Sequence, residues 1–178
     1  MARKHDILHS RMRKAHTLIL KSIDGLDESV CKSEKVSAVW TVKDVLGHLV
    51  SFGDVFRSVI KTIAEQDVQQ YDYIIRTDDG FSEWNLKQSA AKEDWEWDAM
   101  ITDIERDFSE THELIDQLTE PDLSKRGIVP WKLTIEDPTP AKVMSKNSTT
   151  IDAIFKIHAH HFKHHADTIT AWRKSRQY

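Results

Sequence analysis

Apolar residues recur along this chain in alternating steps of three and four, the spacing of one face of an α-helix. The first stripe is Leu8, Met12, Ala15, Ile19 and Ile23, which predicts a helix from Lys4 to Asp24 with Gly25 as its stop signal. A second stripe follows Thr41: Val42, Val45, Leu49, Phe52, Phe56, Val59 and Ile63. Thr41-Val-Lys-Asp44 has the order of a capping box, in which each side chain serves the other residue's backbone N–H. A third stripe, Trp97, Ile101, Ile104, Phe108, Thr111, Ile115 and Leu118, predicts a helix over 94–118. The fourth helix is expected from Thr150 to Lys174, with Thr149 and Asp152 as its capping box, and a short helix from Phe81 to Ala91. No run alternates with period two. Four amphipathic helices, each with one face to bury, predict an all-α four-helix bundle.

The connections over 25–40 and 119–148 exceed the roughly 2–8 residues that join neighbours in a simple up-down bundle. Both can cross from one end of a bundle to the other. The second holds all four prolines and Trp131, which leaves the first 120 residues free for long helices. It reads equally as a functional lid and as a crossover wrapped on the bundle. A chain of 178 residues that is 39% hydrophobic fits one domain, 1–178, with a single core. Five glycines and four prolines are too few for a turn-rich sandwich. No apolar run approaches the ~20 residues of a membrane span, and the start lacks a signal-peptide apolar core. A cytoplasmic protein with no membrane partner is expected.

Charge adds little. The net charge of −4 gives no general reason to expect nucleic acid as a partner. Residues 93–120 hold eleven acids and one base, Arg106, whereas 1–25 hold six bases and two acids. Two helices with complementary solvated faces account for that asymmetry. Cys31 is the only cysteine, so neither an internal disulfide nor a thiolate zinc site is available. Its polar surroundings predict a loop and an ordinary thiol. Trp97 and Trp172 read as core, and Trp95 as an exposed or interface residue.

Histidine is the unusual residue: ten in all, five of them between 158 and 165. With His158 as the origin of the wheel, Phe155, Phe162 and Ile169 fall within about 60° of it, and His161 and His165 at about 300° and 340°. His160 and His164 lie at about 200° and 240°, on the opposite side. Three imidazoles therefore interrupt the apolar stripe of the last helix. A buried imidazole needs hydrogen bonds or a metal. His161 and His165, at i and i+4, are neighbours that can share one ion. The spacing alone proves little, since His5/His9 and His160/His164 also have it. His5 and His9 flank their stripe and are expected to be solvated. His48, one residue before Leu49, is the candidate third ligand, or else a boundary residue facing solvent or Asp44. His158 is its rival. Three neutral imidazoles would leave a coordination position open for water or substrate. Such ligation suits zinc, nickel, copper or iron.

Trp40-Thr-Val-Lys-Asp-Val-Leu-Gly-His48-Leu and His161-Phe-Lys-His-His165-Ala-Asp-Thr-Ile169 together resemble the motifs of the DinB/YfiT-like superfamily. The helix order and spacing match over essentially the whole chain. The resemblance implies an up-down-down-up, DinB-like bundle with long crossover loops, often a homodimer. It also implies a divalent metal ion (Zn, Ni or Fe) on His48, His161 and His165. Members with known activities include thiol S-transferases using bacillithiol or mycothiol, a mycothiol-dependent isomerase and some hydrolases. After His165 many relatives carry a small residue, Gly or Glu, then Gln, where this chain has Ala166-Asp167-Thr168. The resulting expectation is a metal-dependent thiol S-transferase or hydrolase acting on a small molecule such as a low-molecular-weight thiol. The alternative is a non-catalytic metal-binding or structural dimerisation module. Acids of the third helix could supply a general base, but nothing in the sequence aims one at the histidines.

Overall fold

The computed structural model describes residues 3–66, 78–131 and 148–177. Its elements run α1 (Lys4–Ile23), α2 (Glu28–Ser33), α3 (Val42–Glu65), α4 (Asp78–Ala90), α5 (Trp97–Gln117), α6 (Glu120–Ser124), β1 (Arg126–Ile128), β2 (Ser148–Thr150) and α7 (Ile151–Arg176). The expected stripes are the buried faces: every stripe residue of α1 and α3 is buried. In α5 the interior face includes Met100, Asp107 and Leu114, whereas Trp97 and Ile101 are only half-buried against its edge. Trp172 is buried and Trp95 half-buried.

α1 and α3 each pack against both α5 and α7. The pairing fixes direction. Arg173 near the end of α7 reaches carbonyls of Ser22 and Asp24 at the end of α1, so these two helices are parallel. His9 meets His112 while His5 meets Leu118, so α1 and α5 are antiparallel. Gly47 faces Met100 and Gly53 faces Asp107, so α3 and α5 are parallel. His48 meets His161 and Phe56 meets His158, so α3 and α7 are antiparallel. The topology is up-down-down-up. Parallel neighbours cannot be joined by a tight turn, so the end-to-end connection is the one between α3 and α5, whereas 25–40 and 119–148, long enough to cross, join helices that run in opposite directions.

Local chemistry sets the ends. The Thr41–Asp44 capping box forms, with Thr41 donating its backbone N–H to Asp44 at 2.9 Å. Gly25 adopts φ 72°, a left-handed conformation that suits a residue without Cβ just after a helix. The cap expected at Thr149 falls one residue later: Thr150 accepts from the backbone of Ala153 at 3.2 Å. Thr149 is instead buried in β2, opposite Gly127 of β1. This three-residue antiparallel pair is too short for period-two patterning to reveal. Cys31 lies not in a loop but buried in α2, where loss of hydration pushes its thiol up to about 11. Among the described residues, no helix is long and apolar enough to cross a membrane.

Candidate metal centre

His48 comes from the first half of α3 and His161 and His165 from the middle of α7, which runs the other way. The antiparallel crossing brings them together. His48 Nε2 lies 3.0 Å from His161 Nε2, and His165 Nε2 lies 3.1 Å from the same atom. One nitrogen from each lies within 4.8 Å of the others. Aromatic rings wall the trio. Trp40 covers His48 at 4.8 Å between ring centres and stacks near His165 at 6.1 Å. Phe52 touches His48 and His161, and Trp84 of α4 packs on Phe52. His48 does not face Asp44, whose carboxylate is held by Thr41 and by Ser89 at 2.6 Å. His160 and His164 are exposed, as the wheel predicts.

Burial dominates the electrostatics. It drives the His48 and His161 imidazoles well below their ordinary pKa, and neighbouring histidines push the same way. The side chain of Asn85 of α4, buried beside it, partly opposes this at His48. His165 falls to about 4, again from burial first and then from His164. All three are neutral at pH 7. A neutral imidazole carries one N–H and one lone pair. His161 Nε2 sits between two other Nε2 atoms and can make a good hydrogen bond to only one of them. A cation receiving three lone pairs satisfies all three at once. In a tetrahedral site with metal–nitrogen bonds of 2.0–2.1 Å, ligand nitrogens stand about 3.3 Å apart. Two of the three observed separations are close to that and the third lies within 4.8 Å, so a small closing of His48 toward His165 fits the residues to a divalent ion.

His158 does not join them. It is buried beside Phe56 and Phe162, with Nε2 3.5 Å from Asp107 Oδ2 of α5. Asp107 pairs with Arg57 of α3, whose other nitrogen reaches Asp54 at 2.6 Å and Glu110 at 2.9 Å. Gly53 makes room for this pair, since a Cβ there would lie 1.6 Å from Asp107 Oδ1. The sequence reading missed Asp107 and Arg57. The available signals were a glycine inside α3 and an acid beside Ile104 and Phe108 on the α5 stripe. It also missed Asn85 and Trp84, whose helix shows no clear stripe. Trp131 is buried against Phe56, beside the His158 cluster. The prolines at 138 and 140 lie outside the described residues.

Comparison with known proteins agrees with the fold. A model of the DinB superfamily matches residues 11–169. The chain belongs to the DinB superfamily. No curated protein sequence matches it. Among solved structures, it is similar to an uncharacterised protein of Clostridium difficile 630 at 12% identity, covering 98% of each chain with a TM-score of 0.75. It is also similar to YfiT from Bacillus subtilis, described as a "probable metal-dependent hydrolase with an unusual four-helix bundle topology", at 14% identity. That match covers 100% of this chain and 91% of YfiT with a TM-score of 0.71. The colibactin self-resistance protein ClbS, solved with dsDNA, matches at 11% identity over 96% and 95% of the chains, with a TM-score of 0.72. At these identities the likeness establishes the DinB-type fold. After His165 this chain keeps its own pattern, with Ala166 buried and Asp167 paired outward to Lys163 at 2.5 Å.

Proposed function

We propose that this DinB-superfamily chain is one domain that holds a divalent metal ion, Zn, Ni or Fe, on His48, His161 and His165. Its activity is that of a metal-dependent thiol S-transferase or hydrolase acting on a small molecule. The observation that carries the reading is the convergence of three neutral imidazole nitrogens with no carboxylate among them. When bound, such an ion supplies an open position and lowers the pKa of a water or thiol placed there toward neutrality. The remaining roles belong to the chain. Asn85 places a polar side chain beside His48, and Trp40, Phe52 and Trp84 exclude water and offer an apolar wall to a substrate. An anionic thiolate or carboxylate is favoured beside the ion, because the ligands carry no charge to offset it.

The net charge of −4 favours a small molecule over duplex DNA, the ligand of ClbS. A homodimer is the assembly we expect. The test is cobalt substitution of untagged protein, followed by titration with a thiol or azide at millimolar concentration. A changed visible spectrum supports an open, reactive site. A spectrum indifferent to every small ligand would favour the structural-module reading, and retention on duplex DNA at physiological salt would move the proposal to a nucleic-acid partner.

A further inference from the structure

Two imidazoles from different helices also meet nitrogen to nitrogen away from the triad. His9 Nδ1 of α1 and His112 Nδ1 of α5 are 2.5 Å apart, their rings inclined by only 12°. The sequence position of His9 suggests a solvated ring, but it is only 16% exposed, and His5 one turn before it points elsewhere, its Nε2 meeting the Leu118 carbonyl at 2.7 Å. The far side of the His9 ring is fixed, because Nε2 donates to Asp116 Oδ1 at 2.8 Å. That bond selects the tautomer whose Nδ1 lone pair faces His112. A carboxylate behind an imidazole is the arrangement that orients metal-ligating histidines.

We propose that His9 Nδ1 and His112 Nδ1 form a second metal site, which takes a divalent ion such as nickel or zinc across the α1–α5 seam. Water completes the coordination, and Asp116 acts as the positioning residue for His9. His112 is held neutral at pH 7, since burial lowers its pKa and His9 and Arg13 add to the effect against Asp116. Before binding, His112 Nδ1–H donates to the His9 lone pair, so an ion requires His112 to carry its proton on Nε2 instead and the two rings to part from 2.5 Å to about 3.3 Å, the spacing of ligand nitrogens on one ion. Because the ligands lie 103 positions apart on two helices, an ion there also clamps the bundle. The site is independent of the triad and of any activity assigned to it.

The test is calorimetric titration of the untagged full chain with Ni(II), comparing wild type with His9→Gln, His112→Gln and Asp116→Asn. Exposed histidines such as His160 and His164 contribute equally to all four, so the differences isolate the seam. Each histidine variant should lose one equivalent of nickel while keeping the others, and should lose the corresponding metal-induced rise in Tm. Asp116→Asn should keep the stoichiometry and weaken that equivalent about tenfold. Identical stoichiometry and affinities in wild type and both histidine variants would overturn the proposal. Should those variants fail to fold, the Asp116→Asn titration decides, and nickel affinities unchanged from wild type would overturn it.

Discussion

α3 and α7 meet at two buried polar clusters, and they are built on opposite principles. In one, His48, His161 and His165 converge with three neutral nitrogens and no carboxylate among the three. In the other, about two turns along α3, the Asp107 carboxylate, the Arg57 guanidinium and His158 come together at the α5 seam. The second cluster brings its own counter-charge, and Asp54 and Glu110 share the other terminal nitrogen of the guanidinium. It is electrostatically closed. The first has lone pairs in excess, an arrangement that a cation would complete. A histidine on an apolar stripe can therefore belong to either kind, and the partner opposite decides which.

The largest separation between the clusters should appear in metal affinity. His161→Ala removes the central nitrogen and should weaken binding of a divalent ion at the triad by more than about 100-fold, beyond the 10–100-fold typical of outer-shell changes. His158→Ala should leave it unchanged. Competition titration against a chromophoric chelator measures both, and equal losses would erase the distinction drawn here.

Stability should show the reverse. Asp107→Ala leaves Arg57 buried without its principal partner, and breaking a buried pair from one side costs about 3–5 kcal/mol. The expected loss lies toward the lower figure, because Asp54 and Glu110 still hold the guanidinium. Gly53→Ala should be comparably harmful, as its new Cβ would collide with the Asp107 carboxylate. Urea unfolding of the metal-free protein reads both, while a loss below 1 kcal/mol in Asp107→Ala would mean that the pair is not structural.

The smallest effect at any single step is the pH dependence of the metal-free protein, which accumulates one pH unit at a time. His165 titrates near 4 when folded and near 6.5 when unfolded, so between these values the unfolded chain binds more protons. The stability associated with the neutral ring is fully present above about pH 6.5 and is lost as pH falls toward 4, at up to about 1.4 kcal/mol per pH unit. His48 and His161, shifted in the same direction, extend the loss to lower pH. A flat urea midpoint from pH 7 to 4.5 would contradict burial as the cause. Bound zinc should flatten the curve by holding the rings deprotonated.

The periodicity of the sequence determined the four long helices, their buried faces and the Thr41 cap, because these depend on residues within one or two turns of each other. It also turned His161 and His165 inward and His160 and His164 outward, since direction on a helix follows from a fixed rotation per residue. Motif likeness, rather than periodicity, singled out His48. Only the tertiary structure decided which helix faced which. The antiparallel crossing of α3 and α7 joins His48 to a pair 113 residues away, and the parallel packing of α3 on α5 delivers Asp107 to His158 and excludes it from the triad. His5 and His9 show the same limit. They share the spacing of a chelating pair, yet His5 caps a carbonyl and His9 pairs across to α5, because side chains answer to whatever the neighbouring helix presents. Spacing along one helix is a local property. A site assembled from several helices is a property of their packing.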